Sequence, residues 1–391
     1  MRILYVCQDA GIPAFGRKGA STHIREVCRA WVNMGHRIHL VCADLGPDRD
    51  PTLDIECTTV PPLRHKLLGA DLRGLLTDRR FARTLPRVAQ AFRPDLIYER
   101  HSLYTGAATA LAKRLGIGHI LETNALLSDE QRDRLHHPRW AARRERRAFE
   151  RTDCLITVSP QLAAACRAWG IPAEKIHTLP MAVDPGHFHP RPRDPAQRAQ
   201  WGWTPEHTVV GYLGALTGWH RTDLLLGAAA CIAERFPLMR LLFLGGSPHH
   251  TEKYRELAAD MGLAERTLFL GSRPYREVPE ILAEFDLGVV PGAHQWSTPT
   301  KMFEYGAMGI PFIAPGTENI RAVMDDHVTC RLFEAGEQGA LAEALAQLLG
   351  DAEARRRLSE GGLARVLERH TWERHAEALL ELGQAQIEAR R

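Results

Sequence analysis

Val209-Val210-Gly211-Tyr212-Leu213-Gly214 and Leu241-Leu242-Phe243-Leu244-Gly245-Gly246 share one form, a short apolar run that stops on glycine. A run of this length, apolar throughout and bounded by a turn residue, reads as a buried parallel strand with the glycine at its carboxyl end. The form recurs on both sides. Downstream, strands are predicted at 267–270, 287–290 and 311–314; upstream, at 3–7, 38–42, 96–98, 117–121 and 154–158. Longer amphipathic stretches separate them, among them 21–34 and 105–115, and Gly35 stands where a helix-ending residue belongs. Strands alternating with helices predict parallel sheets joined by crossover helices.

The chain has 391 residues, more than one ordinary α/β domain and suited to two halves that each bury a core. The stretch 184–205 is rich in Pro, His and Arg, lacks periodicity, and reads as linker. The expected organisation is a domain over 1–188, a linker over 189–206 and a second domain over 207–372, with a last helix at about 373–391 returning to the first domain. The fold class is α/β, two Rossmann-like doubly wound parallel sheets facing a central cleft, because ligands of such sheets bind beyond the carboxyl ends of the strands.

Lys and Arg total 50 against 47 Asp and Glu, a formal charge of +3, which excludes the strong positive field of a nucleic-acid binder. Eight cysteines form no CxxC pair and no zinc-like spacing, so reduced thiols are expected. The first apolar run is too short for a signal peptide, and none approaches the ~18 residues of a membrane span, so a cytoplasmic protein is expected.

Four motifs are suited to binding an anion or a sugar. In the loop 11–19, Gly16 and Gly19 let backbone N–H groups approach a phosphate or an acceptor, and Ser21 or Thr22 caps the helix that follows. The spacing is not GxGxxG, which argues against a nicotinamide cofactor. In Ser297-Thr298-Pro299-Thr300-Lys301-Met302-Phe303-Glu304, Thr298 reads as N-cap and Pro299 as the first helical residue. Lys301 then lies in the first turn, where the helix dipole disfavours a cation unless a diphosphate compensates. Glu304, one turn on, would accept from ribose or sugar hydroxyls; the plain alternative is a local Lys301–Glu304 ion pair. The third motif runs from Gly214 to His220 and Arg221, which would bring charge to a phosphate. The fourth, Gly245-Gly246, repeats the strand-to-loop geometry. Thr300, and Arg273 just after 269–272, complete the expected donor set. Asp48-Arg49-Asp50 matches a short metal-binding pattern, but no strand leads into it. Helix ends and basic side chains suffice for the diphosphate, so no metal and no cofactor are expected.

The order of these motifs, with Phe243-Leu244-Gly245-Gly246, Phe269-Leu270-Gly271-Ser272, Asp286-Leu287-Gly288-Val289-Val290-Pro291 and Lys301-Met302-Phe303-Glu304-Tyr305 before Gly309-Ile310-Pro311, resembles glycosyltransferase family 4, the retaining transferases of GT-B fold. The resemblance covers nearly the whole chain. It implies transfer of a sugar from a nucleoside-diphosphate sugar to an acceptor hydroxyl, in polysaccharide or glycoconjugate synthesis, with the nucleotide sugar and a glycan or lipid-linked acceptor as partners. It gives Glu304 the ribose of the donor. Eight residues earlier, where the family's motif has its first glutamate, stands Trp296; Ala215 and His220 occupy the family's Arg and Lys positions, and Asn124 that of a histidine. Arg221 and Lys301 are the substitutes for diphosphate binding, and with Asn124 and His101 they form the expected catalytic set. The basic run Arg132, Arg134, Arg139, Arg143, Arg144, Arg146, Arg147 and Arg151 suits peripheral contact with an anionic membrane, or a solvated helix face. The alternatives are an epimerase of the same fold, which would need acid/base carboxylates, or a binding protein that has lost catalysis.

Overall fold

The computed structural model describes residues 1–16, 18–62, 69–296 and 298–388. The chain divides into two compact units, Met1–Pro180 with Trp372–Arg391, and Met181–Thr371.

The first unit is built on a seven-stranded parallel sheet of order β3-β2-β1-β4-β5-β6-β7. Its strands are β1 (Arg2–Cys7), β2 (Arg37–Cys42), β3 (Glu56–Thr59), β4 (Leu96–Arg100), β5 (Gly118–Thr123), β6 (Cys154–Thr157) and β7 (Ile176–Thr178). Every residue of β4 and β5 is buried, as expected of central strands covered on both faces. Leu4, Val6, Val41 and Ile97 from the sheet meet Phe81, Leu85 and Leu111 from the helices above it. Helix α1 (Gly19–Asn33) ends with Gly35 at φ +82°, a left-handed position that suits glycine. Helix α2 spans Ala70–Phe92 and α3 Pro138–Arg151.

The second unit carries six parallel strands in the order β10-β9-β8-β11-β12-β13: β8 (Thr208–Leu213), β9 (Met239–Leu244), β10 (Thr267–Gly271), β11 (Leu287–Val289), β12 (Phe312–Pro315) and β13 (Arg331–Phe333). Val210, Leu241, Phe243 and Ile313 form a core with Leu225 and Leu345. Helix α4 (Thr222–Ile232) follows β8, and α5 (Thr300–Ala307) follows β11.

The first unit ends at Pro180 rather than 188, and the stretch read as a linker belongs to the second unit. Its basic composition has a structural cause: Arg198 is buried, with Nε 2.6 Å from Glu284 and Nη2 3.3 Å from Asp286. Strands β3, β7 and β13 were also not anticipated. All three lie at sheet edges, where one neighbour suffices and no long apolar run is required. The last helix, α6 (Trp372–Glu388), packs on α1, with Trp31 Nε1 donating to the Ala376 carbonyl at 3.2 Å. All eight cysteines are unbridged. Among the described residues no helix is long and apolar enough to cross a membrane.

Candidate active site

In the second unit the carboxyl end of β8 and the first turn of α5 converge on Lys301. Tyr305, one turn after Lys301, accepts a hydrogen bond from the Leu213 N–H at 2.8 Å and so fixes α5 against β8. The Tyr212 hydroxyl donates to the Ala215 carbonyl at 2.7 Å and holds the glycine turn closed. Gly214, at φ +136°, lies where a Cβ would be 2.9 Å from Lys301 Nζ, so only glycine leaves the ammonium its space. Gly245, at φ +120°, is as confined, for its Cβ would fall 2.2 Å from the Gly214 carbonyl oxygen.

Lys301 is 6% exposed, and its Nζ has no hydrogen-bond partner among the described residues. It lies 4.2 Å from the centre of the Tyr212 ring, a cation–π contact that offsets only part of the lost hydration. Burial pulls its pKa down to about 7, and Glu304 opposes the shift. Burial likewise pushes the partly buried Glu304 carboxyl up to about 7, against the pull of Lys301. No ion pair joins the two among the described residues, so the plain alternative raised by the sequence does not hold. A buried amine without a partner is costly, and a bound anion would satisfy it.

His220 shares this pocket, but burial, and then Lys301, pull its pKa down to about 3. It is therefore neutral at pH 7 and brings no charge to a phosphate, contrary to the sequence reading; its buried Nδ1, also without a partner, can still serve as a hydrogen-bonding atom. Arg221 lies at φ +50° as the residue before α4, with Nε 3.2 Å from Asp223 and its side chain 42% exposed. Gly246 is adjacent to Gly245, while Arg273 is exposed beyond β10, two strands from β8, and is not drawn into the Lys301 cluster. Helix α5 begins at Thr300 with Pro299 as its cap. Thr298 does not cap it and instead accepts from the Met181 N–H at 3.5 Å. Ser297 lies outside the described residues.

In the first unit, α1 begins at Gly19 after Lys18, with no side-chain cap, so neither Ser21 nor Thr22 has that role. Gly16 is held by Arg25, which donates to its carbonyl at 3.1 Å. Ser21 is buried, and its Oγ lies 2.9 Å from where a Gly16 Cβ would be. His101 is buried, with Nε2 3.0 Å from Glu145, whose carboxylate also accepts the Leu127 and Ser128 N–H groups. This environment ties His101 to the fold rather than to an open site. Asn124 donates to Glu122 at 3.0 Å.

Glu122 itself escaped the sequence reading. It is fully buried and also accepts from Tyr98 and from Arg100 Nη1 at 2.9 Å, with His23 Nε2 at 3.0 Å. Burial alone would raise its pKa, but His23 and Arg100 hold it well below the usual carboxylate range. His375, on α6, is pulled down to about 4 by burial and by His23. His23, Glu122 and His375 are close enough to share a metal ion, yet Arg100 already supplies the positive charge that Glu122 requires. Asp50 of the Asp48-Arg49-Asp50 pattern is committed to Arg29 and to Thr52.

A family model described as Glycosyltransferase Family 4 matches residues 17–187, and one described as Glycosyl transferases group 1 matches 207–351. A D-inositol 3-phosphate glycosyltransferase of Nocardia farcinica is 29% identical over 219 residues, covering 54% of this chain and 48% of the relative. The chain thus spans about half the length of that curated relative, and from 42% to 67% of the next two. Among solved structures, sucrose-phosphate synthase from Thermosynechococcus elongatus superposes with TM-score 0.80 at 20% identity, over 100% of both chains. Anabaena Alr3699/HepE in complex with UDP and glucose gives TM-score 0.79 at 18% identity, over 98% of this chain and 100% of that one. These likenesses identify the fold as GT-B.

Proposed function

Since the chain belongs to glycosyltransferase family 4, we propose that it transfers a sugar from a nucleoside-diphosphate sugar to an acceptor hydroxyl, with retention at the anomeric carbon. The observation that carries this reading is Lys301, a buried amine with no partner at the carboxyl end of β8. The bond between the anomeric carbon and the diphosphate breaks, and negative charge accumulates on the leaving phosphate. Lys301, the amides of the Gly214 turn and the positive end of α5 neutralise that charge. The acceptor hydroxyl attacks on the face the diphosphate leaves, and its proton passes to the leaving phosphate oxygen. Glu304 accepts from the donor's ribose, and Arg221 borders the departing diphosphate. The nucleotide bound by the Anabaena structure makes UDP sugars the first to try.

Thermal shift across UDP, GDP and ADP sugars tests the reading, because a ligand of the native state raises its melting temperature. One nucleotide series should stabilise the protein and release nucleotide when acceptor is added. Stabilisation by none of them would overturn it.

The acceptor is proposed to be a glycan or lipid-linked molecule met at an anionic membrane. Support comes from α3, where Ala141, Ala148 and Phe149 face inward while Arg139, Arg143, Arg147 and Arg151 are exposed beside Trp140. Such a face is attracted to anionic lipid by about 1 kcal/mol per basic residue. Sedimentation with phosphatidylglycerol vesicles at low salt should show binding that fades as salt rises.

A further inference from the structure

In the middle of the second unit's sheet two glycines stand side by side, Gly211 of β8 paired with Gly288 of β11. Glycine weakens a buried strand unless something else is laid in the space its side chain would fill. Here rings occupy both spaces. A Cβ on Gly211 would run into Phe285, and one on Gly288 would lie 2.8 Å from the ring of Tyr305. Tyr305 is fully buried, with the rings of Phe285 and Phe312 centred 6.1 and 6.0 Å from its own. Gly288 belongs to the motif Asp286-Leu287-Gly288-Val289-Val290-Pro291, and its missing side chain is what lets the tyrosine lie across β11.

The position of the ring brings its hydroxyl to one amide. Gly214 donates to the Leu244 carbonyl of β9 at 2.8 Å, so the amide before it, that of Leu213, is turned to the opposite side, toward β11. Among the described residues no strand meets it there, because the pairing of β11 with β8 ends at Gly211. The Tyr305 hydroxyl takes the place of the missing strand and accepts the Leu213 N–H at 2.8 Å.

The consequences of this bond converge on Lys301. Tyr305 stands four residues after Lys301 on α5, on the same side of the helix, so the bond sets how the first turn of α5 lies against the end of β8. Leu213 is flanked by the two residues that shape the amine's surroundings. Tyr212 presents its ring 4.2 Å from the ammonium, and a Cβ on Gly214 would lie 2.9 Å from it.

We propose that Tyr305 is a positioning residue for sugar transfer: through the Leu213 amide it holds the Gly214 turn against the Lys301 ammonium, so that both meet the same phosphate. This rests on the transferase reading above. The hydroxyl is buried, so its effect on the reaction passes through Lys301 and the turn.

Tyr305→Phe removes one oxygen and keeps the ring over Gly288. Initial rates of Tyr305→Phe, Lys301→Ala and the double variant, with a nucleotide sugar that the wild type turns over, form a cycle on the full chain. Tyr305→Phe should lower kcat about tenfold in the wild type, with the KM for acceptor unchanged, and by less than about twofold once Lys301 is alanine. Wild-type turnover in Tyr305→Phe, even with a lower melting temperature, would make the tyrosine structural only. An equal loss in both backgrounds would show that it does not act through Lys301. Either result overturns the proposal.

A second readout requires no substrate. With lysine labelled with 13C at Cε, the Lys301 signal, identified by its absence from Lys301→Ala, should titrate near 7 in the wild type. In Tyr305→Phe it should titrate higher, because a loosened turn admits water to the amine. If the wild type turns over no nucleotide sugar, the transferase reading fails, and this titration alone decides the rest. A signal that moves up still assigns Tyr305 the placing of Lys301, and one that does not move overturns that as well.

Discussion

The two units each bury an ionisable group under the carboxyl ends of their strands, and they treat it in opposite ways. In the first, the Glu122 carboxylate is met by Arg100, His23, Tyr98 and Asn124. In the second, Lys301 is buried too and, among the described residues, has only the face of Tyr212 beside its amine. Desolvation acts on both, yet the partners of Glu122 drive its pKa below the ordinary value, while Lys301 yields and falls to about 7. Removing a partner from a buried charge is costly, whereas a buried amine left without one is what the proposed diphosphate would satisfy.

The largest effect should come from breaking the partnered cluster. Glu122→Ala strands the buried guanidinium of Arg100 and should destabilise the first unit by roughly 3 to 5 kcal/mol, read by urea unfolding. If Glu122→Gln instead kept full stability and abolished turnover, the cluster would be part of the catalytic site and the contrast would be lost.

Lys301→Ala is the opposite case. It should lower kcat by about a hundred- to a thousand-fold, the scale for removing one group that stabilises developing negative charge. Its melting temperature should be unchanged or higher, because no partner is left behind. A variant that melts earlier and turns over normally would make Lys301 a structural residue.

A weaker signature is the pH dependence of the ligand-free protein. The native Lys301 amine titrates near 7 against an unfolded value of 10.5, so between these values the unfolded chain binds the extra proton and stability rises with pH. Glu304 titrates near 7 against 4.5, so in that lower window the native state binds the extra proton and stability falls as pH rises. Their joint contribution is smallest near pH 7. Lys301→Ala should remove the rise above pH 7 and leave the lower limb. A bound diphosphate should cause proton uptake near pH 8, measurable by calorimetry in buffers of different ionisation enthalpy.

The central strands of both sheets were legible because burial on two faces demands apolar runs, and glycines marked their ends. Lys301 was legible because a cation in a first helical turn conflicts with the helix dipole. The edge strands β3 and β7 were not, since Glu56–Thr59 and Ile176–Thr178 have no apolar run to read, whereas the edge strand β10 carries Leu268-Phe269-Leu270 and was read. Glu122 was missed for a different reason. Its partners come from positions 23, 98, 100 and 124, brought together by sheet register and α1, and no local spacing records that meeting. The charge on His220 was misjudged because protonation depends on burial and on Lys301, neither of which the local sequence contains.

Asn124 offers the finest test, because it has a foot in each category. Its amide donates to Glu122 at 3.0 Å, which makes it part of the partnered cluster, yet the residue is only partly buried and follows β5 at the sheet's carboxyl end. If it belongs to the cluster alone, Asn124→Ala removes one of four partners from a carboxylate that retains Arg100, and the loss should be about 1 to 2 kcal/mol. Turnover at saturating substrate would then be unaffected. If its exposed edge meets the acceptor or donor sugar, kcat or KM changes as well. Asn124→Asp separates the two outcomes, because a second carboxylate against Glu122 repels it and destabilises the cluster whatever Asn124 does in catalysis. Comparing the two variants by urea unfolding and by initial rates therefore shows where the partnered cluster ends and the ligand site begins.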